Sequence, residues 1–438
     1  MEEFDIAIVN GTILTMNQGN DIDENGILGI SGDTISFVGT SASSSLHARK
    51  VIDAQGGIIL PGLINGHTHA AMSLFRGLAD DLPLMDWLGQ YIFPVESRMD
   101  GDFVSAGTLL ACAEMIMAGT TTFCDMYLFE QEVARAARSA GMRCIVGEVL
   151  YDFDSPNYGS VEKGLQYTEE LIRMWHDDPL VSVAVEPHSL FTCGPDLLAA
   201  CNDLARNHGV PLVIHVAETL SEIKEVREKY GKTPFGHLES LGMLSPDLIA
   251  DHCVHVGPQD MELIRDRGVK VIHNPESNMK LASGVAPVPE MIALGINVGL
   301  GTDGCASNNN LDLFAEMDTA AKLHKVQHMD TTVMDAVTVL RMGTIEGARA
   351  LGLEREIGSL EQGKKADVII LDINKPHLTP LYNPYSHIVY AAKGNDVSHT
   401  IINGRIVMED RRLKTLNLAD IFDKIHGQAD RVRRWLKV

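Results

Sequence analysis

The chain has 438 residues, of which 45% are hydrophobic and 22% charged, and a formal net charge of -23 at pH 7. That length exceeds one ordinary core and fits a large domain with a smaller companion. An acidic balance of this size excludes nucleic acid or an anionic membrane as a partner held by charge, because both require a basic face.

The opening, MEEFDIAIVNGTIL, has no basic segment and no long apolar stretch of the kind that directs export. No later run reaches the roughly 18 apolar residues of a membrane span. The cysteines at 112, 124, 144, 193, 201, 253 and 305 form no Cys-x-x-Cys pair and lie in or beside apolar runs. Reduced thiols in a cytoplasmic compartment are therefore expected. Residues 4–14 place Asn10-Gly11 between apolar runs, which predicts a hairpin. Strands are expected at 26–30 and 34–38 around the turn Ser31-Gly32-Asp33, and the polar stretch 41–50 then links to Val51-Ile52.

From residue 58 the pattern changes to alternating strands and helices. Strands are read at 58–69, 120–126, 143–150, 180–186, 211–215, 248–252, 269–273 and 296–302. Helices are read at about 103–118, 130–139, 161–175, 196–208, 221–229, 259–267 and 288–293, and last at 311–326 or 331–341. The connection 70–102 is longer than most of its kind. Eight strands joined by helical crossovers predict an α/β fold, a (β/α)8 TIM barrel over residues 58–358. Beyond it, 366–371 and 387–391 read as strands, 397–408 as a second hairpin about Asn403-Gly404, and 418–436 as a helix whose late residues are basic. Strands that open and close a chain often share a sheet. Residues 1–57 and 359–438 are therefore expected to form one discontinuous β-sandwich beside the barrel.

The chemistry collects at strand ends. In IILPGLINGHTH, His67 and His69 are two apart, so an extended strand points both imidazoles the same way. His215 follows Leu212-Val213-Ile214, His252 follows Leu248-Ile249-Ala250-Asp251, and Asp303 follows the run 296–302. Barrel enzymes build their sites at that end of the strands. His67, His69, His215 and Asp303 make a donor set for one divalent ion, with water completing the shell. Glu218, three residues after His215, is the candidate proton shuttle. His252 is read as an aid to the attacking water or an orienter of Asp303, and His255 as bland. A second metal would need a bridging ligand. The fourth strand, VSVAVEPHSLF, offers no lysine and only Glu186, so a single metal is preferred. His188 is then placed as a substrate contact. Glu96 can accept from two vicinal hydroxyls such as those of ribose. Phe75, Leu84, Trp87 and Leu88 are candidate walls over a ring, Arg76 with Asp80 and Asp81 loop-internal charges, and Ser307 with Asn308 to Asn310 helix caps. Glu222 to Arg227 reads as a solvated helix face. Nucleotide loops, phosphate loops, the serine elbow and the cytidine-deaminase signature are all missing.

The PGLIN-His-Thr-His segment, HVAE around His215 and Glu218, His252 and Gly301-Thr302-Asp303-Gly304 together resemble the amidohydrolase superfamily over essentially the whole chain. HTHAAMSLFRGLADDLPLMDWL, the Glu96 segment, EPHSLFTCGP and GTDGCASNNNLDLF are similar, more narrowly, to the 5-methylthioadenosine/S-adenosylhomocysteine deaminase family. The resemblance implies one metal, usually zinc, held by His67, His69, His215 and Asp303. It implies substrate contacts from Glu96, His188 and Glu218, with Glu96 on the ribose hydroxyls. The implied reaction is hydrolytic loss of the adenine 6-amino group from 5'-methylthioadenosine or S-adenosylhomocysteine. Attack at C6 would be assisted by Glu218 at N1 and by His252 and Asp303 at the water. Some family members use an arginine after the third strand, but YDFDSPNYGSVEKGL has none. The expected partner is a small nucleoside, with a homo-oligomer left open. A 5'-deoxyadenosine or adenosine deaminase, another ring deaminase or a triazine-type hydrolase, and an inactive barrel-based binding protein are the competing readings.

Overall fold

The computed structural model describes residues 3–40, 47–82 and 88–437. Eight parallel strands run in sequence order: β1 (Leu63–Thr68), β2 (Thr120–Tyr127), β3 (Arg143–Leu150), β4 (Val181–Val183, continued by Glu186–Pro187), β5 (Leu212–Val216), β6 (Leu248–His252), β7 (Lys270–His273) and β8 (Val298–Leu300). β1 to β4 pair as one run and β5 to β8 as another. Bridges between Val185 and Leu212 and between Ser189 and His215 join the two halves. The ring closes where Asp303 N–H donates to the His67 carbonyl at 3.0 Å. Asn65 seals the same seam by donating to Thr302 Oγ1 at 2.7 Å and accepting from Thr302 N–H at 3.0 Å. The barrel strands are buried on both faces, which explains their near-continuous apolar sequence. A (β/α)8 TIM barrel is therefore the fold.

The two chain ends meet in one nine-stranded sheet. Its order runs Arg412–Leu413, Arg405–Glu409, Val397–Ile402, Val368–Leu371, Ile58–Pro61, Glu3–Leu14, Ile22–Ser31, Thr34–Gly39, and His47–Asp53 pairs with Glu3–Leu14. It encloses its own apolar cluster, including Ile8, Leu28, Ile59, Val368 and Ile401. Ile58–Pro61, read above as the start of the first barrel strand, belongs to this sheet instead. Gly62 separates it from β1, because a Cβ there would meet Thr121 at 2.1 Å.

Two further expectations are corrected. Asn10-Gly11 makes no hairpin: Glu3–Leu14 continues through it as one strand, with a bulge where the pairing passes from Ile8↔Leu28 to Gly11↔Gly26. Asn403-Gly404 does turn a hairpin, at φ 50° and 73°, closing Ile402↔Arg405. Residues 387–391 are not a strand, because Pro384–Tyr390 is a helix. Asn383 caps it by accepting from Ser386 N–H, and Pro384 takes the first turn. The tail helix Leu418–Leu436 forms as expected. It lays Trp435 on Phe103 at 5.9 Å between centroids and pairs Arg431 with Asp100 at 2.7 Å. The linker residues 41–46 lie outside the described residues.

Candidate functional site

Barrel closure turns distant sequence positions into neighbours. The His67 ring centroid lies 4.8 Å from those of both His69 and His215. Asp303 Oδ1 is 3.1 Å from His69 Nε2 and 3.7 Å from His67 Nε2. His252, closing β6, stands 5.4 Å from His215 between centroids, with Nε2 4.0 Å from Asp303 Oδ2. The donor atoms form two triads sharing His67: His67–His69–Asp303 and His67–His215–His252, each within 4.8 Å.

The residues fit a metal ion on three counts. His67 Nε2 is buried without a hydrogen-bond partner, while Nδ1 lies 3.1 Å from the buried Asp251 carboxylate. His69 Nδ1 donates to the Met126 carbonyl and His215 Nδ1 to the His188 carbonyl, so each ring keeps its Nε2 lone pair for another partner. Asp303 is fixed by Ser277 Oγ at 2.6 Å and Ser307 Oγ at 2.9 Å on one oxygen, and by Gly304 N–H at 2.7 Å on the other. His252 and Asp303 both hold left-handed backbone, at φ 69° and 61°, a conformation that costs a non-glycine residue and clusters at functional sites.

The electrostatics agree. Burial opposes charge on His69, but the Asp303 carboxylate outweighs it and lifts the imidazole to about 9. Asp303 is itself held well below the usual range against its burial, chiefly by His69. A divalent cation would satisfy the same carboxylate in place of that proton. Burial and the surrounding imidazoles push His215 well below its ordinary value and His188 down to about 4. Both are neutral, and neutral imidazole is the form that binds a metal or accepts from a substrate.

Glu218 lines the same cavity, half-buried, and accepts from Ser283 Oγ at 3.4 Å. Its neighbour Glu222 is not on a solvated face. It is 3% exposed and accepts from Ala217 N–H at 2.8 Å and Glu218 N–H at 2.9 Å. His255 holds the Ser283 carbonyl at 2.8 Å, so it too stands behind Glu218. Glu96 ends the short helix Phe93–Glu96 and accepts from Tyr127 OH at 2.7 Å. Burial raises its carboxyl, and the bond from Tyr127 and the charge of His69 act against that. His188 Nδ1 rests on Ser189 and Thr192 hydroxyls at 3.1 and 3.0 Å, with its ring 5.0 Å from His215.

Other expectations fall differently. Phe75 is 1% exposed and packs on Phe103, inside the core and not on the cavity wall. Leu84, Trp87 and the Leu88 side chain lie outside the described residues. Arg76 and Asp80 are not loop-internal: Arg76 pairs with Glu114 and Asp80 with Lys280, which ties the long connection to helices outside it. Ser307 holds Asp303 and caps no helix; the following helix is capped by Asp312. Glu186 is wholly buried and packed against Gly147, where a Cβ would come within 2.2 Å of its carboxyl carbon. Burial pushes its carboxyl well above the usual range, and it joins no metal-donor group among the described residues. Tyr127, Asp251, Asn278 and Ser277 escaped the sequence reading. Tyr127 looks like any strand aromatic until the fold sets it beside Glu96.

A model of the Amidohydrolase family matches residues 58–407. The chain is 57% identical over 423 residues to the 5-methylthioadenosine/S-adenosylhomocysteine deaminase of Syntrophobacter fumaroxidans, covering 96% of this chain and 97% of that one. It is 44% identical to the 5'-deoxyadenosine deaminase of Methanosarcina mazei, covering 97% and 98%. Among solved structures, an adenosine deaminase from Xanthomonas campestris with bound zinc superposes with a TM-score of 0.97 at 36% identity, covering 99% of each chain.

Proposed function

Because the chain belongs to the amidohydrolase family, we propose that it hydrolyses the 6-amino group from the adenine of small 5'-substituted adenosines and releases ammonia. The 5'-methylthioadenosine and S-adenosylhomocysteine named for its relative are the first substrates to test, and the 5'-deoxyadenosine named for another is the nearest alternative. The observation that carries this reading is one cavity lined together by His69, His215, Asp303, Glu218 and Glu96.

His67, His69, His215 and Asp303 would hold one divalent ion, zinc by analogy with the solved relative. When bound, such an ion supplies a Lewis acid that makes water a nucleophile near neutral pH. Glu218 delivers a proton to N1, so the ring can take up negative charge as water adds at C6. Asp303 and His252 accept the proton that the water gives up. His252 is aimed by its contact with Asn278 Oδ1 at 2.9 Å. His188, neutral, contacts the substrate. Glu96, steadied by Tyr127, takes the two ribose hydroxyls. As C6 collapses to the carbonyl, the proton taken from the water passes to the amino nitrogen, which leaves as ammonia, and the C6 hydroxyl proton restores Glu218.

Seven unpaired, buried cysteines favour a reducing cytoplasmic compartment. No helix among the described residues is long and apolar enough to cross a membrane. The test is ultraviolet absorbance of the zinc-loaded chain with 5'-methylthioadenosine, S-adenosylhomocysteine, 5'-deoxyadenosine and adenosine. The adenine-to-hypoxanthine change is expected with at least one of them and lost on chelation. Silence with all four would refute the reading.

A further inference from the structure

The rest of the cavity lining is mostly aromatic and aliphatic. Tyr151 and Phe153 stack with centroids 3.9 Å apart and planes 11° from parallel. Phe191 stands edge-on to His188 at 5.8 Å. Phe93, Phe153 and Phe191 are 49%, 52% and 46% exposed and give the cavity an apolar rim. No lysine or arginine lines the cavity among the described residues, and its anionic groups are Glu96, Glu218 and Asp303. Two nearby cations are committed elsewhere: Arg76 of the long connection to Glu114, and Lys280, on the helix Pro275–Lys280, to Asp80. Residues 83–87, outside the described part, read Pro-Leu-Met-Asp-Trp and bring no cation by sequence.

We propose that this site selects small uncharged 5' substituents, with Phe153 and Phe191 as specificity determinants, and discriminates against the amino-acid tail of S-adenosylhomocysteine. The inference rests on the deaminase reading above. A methylthio or methyl group gains by leaving water against ring faces, and sulfur packs well at ring edges. The zwitterionic amino-acid tail brought to the same wall loses water from both of its charges, and its carboxylate meets no lysine or arginine there.

The test is kcat/KM of the zinc-loaded full chain for 5'-methylthioadenosine, 5'-deoxyadenosine, S-adenosylhomocysteine and 5'-butylthio-5'-deoxyadenosine, which is long but uncharged. The butylthio compound should stay within about tenfold of 5'-methylthioadenosine, and S-adenosylhomocysteine should fall at least about tenfold below both. Phe153→Arg, at a half-exposed position, should narrow that gap by raising the rate on S-adenosylhomocysteine. Equal rates on 5'-methylthioadenosine and S-adenosylhomocysteine in the wild type would overturn the proposal. So would a butylthio compound that fails alongside S-adenosylhomocysteine, since length and not charge would then discriminate. Inactivity on all four is a separate result: it removes the deaminase reading and this one with it.

Discussion

At the buried inner end of the site His67, His252 and Asp303 are 1%, 1% and 5% exposed, and each is held by a further side chain: Asp251, Asn278 and Ser277. At the mouth Phe93, Phe153 and Phe191 are about half exposed, with Phe153 against the Tyr151 ring and Phe191 against that of His188. The first region spends its sequence on holding a few atoms in place. Its donors sit at strand ends of a closed barrel, where backbone pairing fixes register. The second region sits on connecting segments, where side chains change without disturbing that register. Reaction type should therefore respond steeply to substitution at the inner end, and substrate preference to substitution at the mouth.

Glu218→Gln gives the sharpest test of that contrast. It keeps the size of the side chain and, by this account, removes the proton delivered to N1. A fall in kcat of about a hundredfold to ten-thousandfold is expected, the range of a lost general acid. Metal content by elemental analysis should not change, because Glu218 is not in the donor set. Loss of metal together with rate would move Glu218 into that set. A smaller effect is expected one step toward the mouth. Tyr127→Phe removes the 2.7 Å bond to Glu96 and leaves a carboxylate that burial already disfavours. A bond to a charged group is worth about 1.5–3 kcal/mol, so KM should rise about tenfold or more with kcat nearly kept. On a 2',3'-dideoxy nucleoside, which gives Glu96 nothing to hold, the variant and wild type should match. A kcat loss as large as that of Glu218→Gln would erase the proposed division between the two regions.

Most of the barrel was legible because each of its strands is a buried apolar run followed by a helical pattern. The metal-side residues were legible because His67, His69, His215 and His252 all close such runs, with Asp303 just past another. What escaped was set by distant neighbours. Asn10-Gly11 and Asn403-Gly404 are the same dipeptide between apolar runs, yet only the second turns back. At the first, Ile58–Pro61 pairs alongside and keeps the strand extended, through Thr12↔Ile58 and Ile13↔Ile59, partners 46 residues apart along the chain. In the second, Gly404 abuts the carbonyl of Gly32, where any Cβ would come within 2.0 Å. His387–Val389 has strand-like residues, but the cap at Asn383 and the proline after it decide for a helix. Tyr127 and Asp251 carry no local mark of function, since their partners Glu96 and His67 lie 31 and 184 residues away along the sequence. Glu222 was misread for a related reason. It opens a charged helix, and nothing local shows that the helix start is folded under the Ala217–Glu218 turn.

Glu222 also offers the finest test of how the inner end is held. Burial pushes its carboxyl up to about 7, although the Ala217 and Glu218 N–H groups favour the ionised form. A carboxyl raised on folding stabilises the fold most below its unfolded value, near 4.5, and that contribution is lost as pH rises through about 7. Over that window the loss amounts to about 3 kcal/mol, at 1.4 kcal/mol per pH unit. Glu222→Gln cannot titrate. It pays a fixed cost of about 1–3 kcal/mol for turning an amide N–H₂ toward one of the two backbone donors. In metal-stripped protein, where no cation perturbs the carboxyl, the variant should melt below wild type at pH 5. The gap should then shrink steadily toward pH 8. A gap constant across that range would mean that Glu222 is ionised throughout, with the two N–H bonds outweighing burial. The turn carrying Glu218 would then be clamped by a full charge at every working pH.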